Sequence, residues 1–263
     1  MAIRIEVKSD DLAAKSKREQ TAQNVVRLFG YQLSDLKLLC FFDDVDCDGL
    51  KKFIGGANRG FYTPVRNSRL WPYFPEYLKD FIFESGISSL SGEPSFNHVI
   101  YLDGSACADE IGLTITFAHE FQHLVQNTAG RTRKLAAANG LVQNLDRKLI
   151  EALNMKWFDI PIEREARIVS KRTAETLFGA PRVRRFIAAR IAEAVDGDDA
   201  ADWRFVQSIV PSTPYDLERE SHRLFQKLRP HRREFERMLD ELKDNPTFSE
   251  ITLRDLFDDY TKV

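Results

Sequence analysis

Residues 116–125 read TFAHEFQHLV and contain the pair His119 and His123. Two side chains four positions apart on a helix point the same way, about one turn apart. Their imidazole nitrogens can therefore bind one zinc ion at roughly 2.0–2.1 Å. Glu120 lies beside the first histidine, and from there it can accept a proton from a zinc-bound water. The stretch predicts a helix that carries a zinc site, and with it a zinc-dependent hydrolase, most simply a peptidase.

The surroundings of the motif agree with a buried helix. Glu120 is the only charged residue in the stretch, and a second charge beside the site would be costly to bury. Ser105 or Asp109 can cap the helix, and Gly130 can end it. Other side chains follow the histidine face at spacings of three or four and are candidates to orient the histidines; they are Thr116, Gln126 and Asn127. The alternative is that they are ordinary polar residues on a partly exposed helix.

A catalytic zinc site needs a third protein ligand and an open position. Ala129 stands six residues after the second histidine, where an extended HExxHxxGxxH arrangement would have a third one. We therefore expect a carboxylate from a later helix. Residues 159–169 (DIPIEREARIV) offer Glu163 and Glu165, and Pro161 suits the first position of that helix.

The uncharged flanks resemble those of zincin metallopeptidases, and the later glutamate helix resembles gluzincin-type peptidases. The spacing Glu-x-x-Ala from Glu163 to Ala166 is similar to the third-ligand helix of membrane-embedded HtpX-type and of soluble ImmA/IrrE-like peptidases. This resemblance, over about residues 97–175, implies Glu163 as the third zinc ligand, with Glu165 in reserve. Arg167 differs from the pattern, because those families often have Asp or Asn directly after the alanine.

Residues 97–103 (NHVIYLD) predict a strand before the motif helix. In zincins this strand is commonly the sheet edge that pairs with an extended peptide substrate, so the resemblance implies that role here. His98 is expected to be an ordinary strand histidine. Zincins also tend to use a later His or Tyr to stabilise the oxyanion, and the downstream candidates are Tyr215 and His222.

Two alternatives to the peptidase remain open. A deformylase-like metal amidase also uses HExxH, but with a cysteine as third ligand, and Cys107 precedes the motif. The other alternative is a binding or regulatory protein that keeps the zincin fold but no longer catalyses hydrolysis. The intact Glu120 argues against it.

The composition of the chain limits the classes of binding partner and substrate that we expect. The net charge of −2 gives no general attraction to nucleic acid, and a peptide or protein is the expected substrate. Residues 131–190 contain 14 Lys or Arg and 6 Asp or Glu. Solvated helix faces explain this local excess, and an acidic protein partner is the alternative. The three cysteines form no CxxC, and no apolar run approaches 18 residues. The charged, alternating start of the chain is expected to form a strand and not a signal peptide. A cytoplasmic protein without a membrane span is expected.

The order of these patterns predicts an α+β, zincin-like fold. Its 263 residues, 43% of them hydrophobic, can bury a substantial core. We expect a mixed part over residues 1–130 and a helical part over residues 131–263 that carries the third ligand, although a single domain stays open. Strands are expected near 1–8, 38–42 and 97–103, loops over 55–72, and helices near 10–29, 109–129, 132–155, 161–178, 182–195 and 214–242.

Overall fold

The computed structural model describes twelve segments of the chain. They are residues 4–8, 12–29, 37–42, 59–65, 96–103, 109–128, 130–143, 145, 147–194, 197–244, 248–249 and 251–257. Cys107 and Ser105 lie outside these residues.

The N-terminal part forms a small mixed sheet. Its strands are β1 (Arg4–Lys8), β2 (Lys37–Phe42), β3 (Gly60–Pro64) and β4 (His98–Leu102), in the order β1-β2-β4-β3. β1, β2 and β4 run parallel, and β3 runs antiparallel to β4. Helix α1 (Leu12–Phe29) connects the first two strands. The three predicted strands are confirmed.

Strand β3 contradicts the expectation of loops over residues 55–72. It is five residues long and bounded by Gly60 and Pro64, two residues that usually signal turns. An end strand tolerates a proline because one row of its amides makes no ladder hydrogen bond. The glycine and the proline therefore led to the prediction of a loop where the chain forms a strand.

The expectation that residues 97–103 form the sheet edge is also wrong. β4 pairs with β2 on one side and with β3 on the other. Its residues Val99 to Leu102 are fully buried, as in parallel strands that are covered on both faces. Among the described strands, β3 takes the end position beside β4.

The motif helix, α2 (Glu110–Thr128), lies between the sheet and the later helices. Asp109 caps it, because its Oδ1 accepts hydrogen bonds from the amides of Ile111 at 2.7 Å and Gly112 at 3.2 Å. Phe117 and Phe121 pack with buried residues of β2, β4 and α1. Burying each such side chain stabilises the fold by about 1.5–3 kcal/mol.

The remainder of the described chain is helical. The helix predicted at 161–178 begins with Pro161 at its first position, as expected, while the 132–155 pattern divides into two helices and Gly130 begins the first of them. The helices are α3 (Gly130–Gln143), α4 (Arg147–Ala152), α5 (Pro161–Phe178), α6 (Ala180–Glu193), α7 (Gly197–Ser208), α8 (Leu217–Leu228), α9 (Arg232–Leu242) and α10 (Leu253–Phe257), with 3-10 turns at Trp157–Asp159 and Arg229–His231.

This arrangement confirms the α+β class. The predicted division near residue 130 falls between α2 and α3 and stays a prediction. Helix α2 packs on the sheet with one face, and Ile111 and Ile115 join a second apolar cluster with α5, α6 and α7. The helix is thus fixed from both sides, which gives its polar face a defined direction. No helix in the described segments has the length and apolar character to cross a membrane.

Candidate metal centre

Three side chains from α2 and α5 converge on one point. The Nε2 atoms of His119 and His123 are 3.1 Å apart. The carboxylate of Glu163 lies 3.3 Å from each of them, with Oε2 facing the first histidine and Oε1 the second. Among the described residues, these three form the group whose ligand atoms are close enough to hold one metal ion.

The spacing of these atoms fits zinc. A tetrahedral zinc ion with bonds of about 2.0–2.1 Å separates its ligand atoms by roughly 3.3–3.4 Å. The 3.1 Å between the two Nε2 atoms, and the 3.3 Å from each of them to a different oxygen of Glu163, are close to that value. Two imidazoles and one carboxylate are also a ligand set that zinc takes in catalytic sites, with a fourth position open.

Charge and burial support the same assignment. Burial by itself would raise the pKa of Glu163, but the charge of His123 and hydrogen bonds from both imidazoles hold that pKa well below its ordinary value. Burial lowers the pKa of His119 to about 4, so this ring is neutral near pH 7. Burial would also lower the pKa of His123, but the neighbouring Glu163 carboxylate raises it to about 9. The centre is thus built around a buried, ionised carboxylate.

Glu165, the reserve candidate for the third ligand, has a different position. Its Oε2 accepts hydrogen bonds from Nε2 of Gln126 at 2.8 Å and from Nε2 of Gln122 at 3.1 Å. Oε1 of Gln126 in turn contacts Nδ1 of His123 at 2.8 Å. Glu165 therefore orients an imidazole through Gln126 and does not contact the ligand group itself.

Two of the predicted orienting residues on α2 contact His123. Gln126 holds its ring nitrogen, as described, and also donates to the carbonyl oxygen of Ile162 at 3.1 Å. Asn127 donates to the backbone carbonyl of His123 at 2.7 Å. Thr116 lines the same cleft as the histidines. Of the three predicted residues, Gln126 is thus the one that contacts the imidazole itself.

Further groups fix Glu163. Nε2 of Gln143, on α3, donates to its Oε1 at 2.8 Å. Nη1 of Arg167, one turn further along α5, donates to its Oε2 at 2.9 Å and to its backbone oxygen at 3.2 Å. Nε of Arg167 donates to Oδ1 of Asp202 on α7 at 2.7 Å. The carboxylate is therefore held by an amide and by a guanidinium that has a second anionic partner.

Arg59, just before β3, extends this network. Its Nη1 lies 3.6 Å from Oδ2 of Asp202, and its Nη2 is hydrogen bonded to Oδ1 of Asp199. The guanidinium carbon lies 3.9 Å from the ring centre of Trp203, a cation–π contact. The end strand of the sheet is thereby tied to α7, which also holds Arg167.

Glu120 faces the cleft from α2. Burial raises its pKa to about 7, and the backbone amide of Tyr62 in β3 donates a hydrogen bond to its carboxylate. The cleft has a volume of about 670 Å³ and contains the three ligand-type side chains, Glu120 and the whole of β3. The base candidate thus lies between the metal-binding group and the end strand.

Strand β3 presents backbone groups to this cleft. The backbone amide of Val65 donates to the carbonyl of Asn97, and the amide of Asp103 donates to the carbonyl of Arg59. The backbone N–H and C=O groups of the odd-numbered residues in this stretch therefore point towards β4. By alternation, the backbone groups of Gly60 and Tyr62 point away from β4. A Cβ on Gly60 would lie 2.8 Å from the carbonyl oxygen of Tyr101, so only glycine fits where β3 approaches β4 this closely.

The structure does not bring the predicted oxyanion candidates to this cleft. Tyr215 and His222 both line a second cavity, and the Tyr215 hydroxyl donates to the carbonyl of Pro161 at 3.4 Å. His98 is a strand histidine, as expected, whose Nδ1 lies 3.0 Å from the hydroxyl of Tyr62. None of these three side chains lies among the cleft-lining residues.

Sequence reasoning missed Gln143, Asp202 and Arg59, and it treated Arg167 only as a departure from a family pattern. A signal existed for one of them, since Arg167 follows Glu163 by four positions on a predicted helix, the spacing of an ion pair. The others come from distant segments and had no local signal. Comparison of the chain with protein-family models, curated proteins and solved structures finds no match.

Proposed function

We propose that this chain is a zinc-dependent metallopeptidase. In it, His119, His123 and Glu163 bind the metal, and Glu120 is the general base. The observation that carries the proposal is the convergence of two Nε2 atoms, 3.1 Å apart, on one carboxylate, whose two oxygens each lie 3.3 Å from one of these nitrogens. A bound zinc ion supplies a Lewis acid that polarises a carbonyl group and lowers the pKa of a coordinated water.

Glu120 is suited to move the proton. Its carboxylate lies in the same cleft as the three ligand side chains, and the amide of Tyr62 fixes its orientation. It accepts a proton from the attacking water as the oxygen adds to the carbonyl carbon, and passes this proton to the leaving nitrogen as the C–N bond breaks. The products are an acid and an amine, so the carboxylate ends as it began.

The end strand favours an extended peptide as the substrate. Among the described strands, β3 has a neighbour on one side only, and its second edge borders the cleft. An extended chain can add to such an edge through backbone hydrogen bonds with little demand on its side chains. The amide of Gly60 and the carbonyls of Gly60 and Tyr62 are the groups that β3 offers for this pairing.

The test combines metal content and hydrolysis. Wild type is expected to bind about one zinc per chain, the stoichiometry of a single catalytic site, and to cleave members of a fluorescence-quenched peptide library. Glu120→Gln is expected to keep the zinc and to lose about 10²–10⁴-fold in rate. Glu110→Gln, the same change in the first turn of the same helix, is the matched control and should stay active.

The outcomes separate the alternatives. Full hydrolysis by Glu120→Gln with zinc still bound would contradict the assigned base. Tight zinc binding by wild type without cleavage of any library member would favour the binding or regulatory protein. Absence of zinc uptake on titration would remove the metal site and the enzyme together.

A further inference from the structure

We propose that Arg167 stabilises the oxyanion of the tetrahedral intermediate, and that Asp202 positions it. This inference rests on the proposed peptidase function and fills the role that Tyr215 and His222 leave open. Both of those side chains line the second cavity, whereas Arg167 lines the cleft itself.

Arg167 is next to the ligand group. Its Nη1 lies 2.9 Å from Oε2 of Glu163, the oxygen that faces Nε2 of His119 at 3.3 Å. The guanidinium therefore lies within one contact of the atoms that would hold the metal. Two other cations line the cleft, and among the described residues neither is hydrogen bonded or ion paired to Glu163: Arg59 contacts Asp199 and Asp202, and Lys156 is exposed.

The guanidinium is preorganised. Nε donates to Asp202 at 2.7 Å, Nη1 donates to two oxygens of Glu163, and only 11% of the side chain is exposed. Among the described residues, Nη2 has no hydrogen-bond partner, so it is the donor that remains for a ligand in the cleft. A donor that is fixed before the reaction costs no reorganisation when charge develops, which is the condition for strong electrostatic stabilisation.

The chemistry suits an arginine. When the water oxygen adds to the carbonyl carbon, the π-electron pair of the C=O bond moves onto its oxygen. Arg167 donates a hydrogen bond to that oxygen and keeps its proton, because a guanidinium does not deprotonate in proteins. The electron pair returns as the C–N bond breaks, and the leaving nitrogen takes its proton from Glu120.

A terminal carboxylate of the substrate is the competing ligand for the same group. The side chain already faces the carboxylates of Glu163 and Asp202, so a third full negative charge would gain little there. A partial charge that appears only during the reaction is stabilised without that repulsion in the ground state. The geometry thus favours the oxyanion over a fixed anionic end of the peptide.

The experiment uses two probes on the zinc-loaded chain. One is N-phosphoryl-Leu-Trp with a C-terminal amide, which presents a tetrahedral anion and no carboxylate, and the other is the same compound with a free C-terminus. Dissociation constants are measured by calorimetry for wild type, Arg167→Lys and Arg167→Gln. Arg164→Gln, the same charge change on the same helix but facing the second cavity, is the matched control. Zinc affinity and circular dichroism are recorded for every variant. If Arg167→Gln does not fold, Arg167→Lys still tests the proposal, because it conserves the positive charge.

We expect both Arg167 variants to bind both probes about tenfold or more weakly, since each loses a preorganised donor to the tetrahedral anion. Arg164→Gln should bind them like wild type. If only the free-acid probe binds more weakly, Arg167 binds a terminal carboxylate of the substrate, and the inference is overturned. Unchanged binding of both probes, or no binding of either to zinc-loaded wild type, would overturn it too while leaving the zinc site intact. Failure of wild type to bind zinc would instead remove the proposed function.

Discussion

Replacing Glu163 and Glu165 separately by glutamine distinguishes a metal ligand from a residue that orients one. The two carboxylates lie on the same helix two residues apart, and glutamine conserves their size. Glu163 lies 3.3 Å from both histidine Nε2 atoms, whereas Glu165 reaches His123 only through Gln126. The structure therefore predicts unequal losses of zinc affinity from two chemically identical changes.

The expected sizes follow from these contacts. Loss of a residue that supports a metal ligand typically weakens metal binding by about 10–100-fold, equivalent to about 1.4–2.7 kcal/mol. Glu165→Gln should fall in that range, because Gln126 loses a charged acceptor at 2.8 Å. Glu163→Gln removes the proposed direct ligand and its buried negative charge, so its loss of zinc affinity should exceed about 100-fold.

The assay is competition for zinc with a chromophoric chelator at fixed pH, accompanied by a melting curve for each variant. Glu175→Gln serves as control, because its carboxylate lies on the same helix and, among the described residues, is ion paired with Lys171 at 4.0 Å and not with the ligand group. It should bind zinc like wild type. A greater loss for Glu165→Gln than for Glu163→Gln would refute the ligand assignment, and equal wild-type affinity in both would refute the site.

Two further predictions concern the sheet. Gly60→Ala should lower the free energy of unfolding by about 1–3 kcal/mol, because the new Cβ would lie 2.8 Å from the carbonyl oxygen of Tyr101. Gly197→Ala is the control and should not destabilise the fold, because the space around Gly197 is open. Urea unfolding of both variants checks this difference. Burial lowers the pKa of His98 to about 4, so protons bind the unfolded state preferentially as the pH falls from about 6.5 towards 4, and stability decreases in that window. Unfolding at pH 7.5 and pH 5 should show that His98→Gln lacks about 1–2 kcal/mol of the acid-induced loss seen in wild type; an equal loss in both would contradict this role.

The predictable part of the site depends on local spacing. A separation of four positions places both histidines on one helix face, and the same rule identified Gln126 and Asn127 behind His123. Pro161 marked the start of α5, and the predicted span of 161–178 is the observed one. Each of these inferences involves residues within about one or two helical turns, where backbone geometry alone determines which side chains are neighbours.

The part that escaped prediction depends on distant segments. Arg59 and Asp199 are 140 positions apart, and only the packing of β3 near α7 brings them together. β3 itself lacked a sequence pattern, because it is short, bounded by Gly60 and Pro64, and lies at the end of the described sheet. The position of β4 in the sheet followed from its pairing with β3, so missing one strand displaced the expected substrate edge by one position.

The charges around the centre give an independent reason to expect a divalent cation. The guanidinium groups of Arg59 and Arg167 are in contact with three carboxylates, those of Asp199, Asp202 and Glu163, and Glu120 adds a fourth in the same cleft. Burial raises the pKa of Glu120 to about 7, so this group is only partly ionised near neutral pH. Two cations against three full carboxylate charges and this partial one leave a negative excess in a partly buried region, and such an excess is costly unless it is paired. In the metal-free chain, Glu163 draws a proton onto His123 and so compensates part of the excess. A divalent cation at this group would offset the excess and would take the place of that proton. The charged network, which no sequence motif revealed, therefore favours the same kind of ligand as the two histidines of the motif.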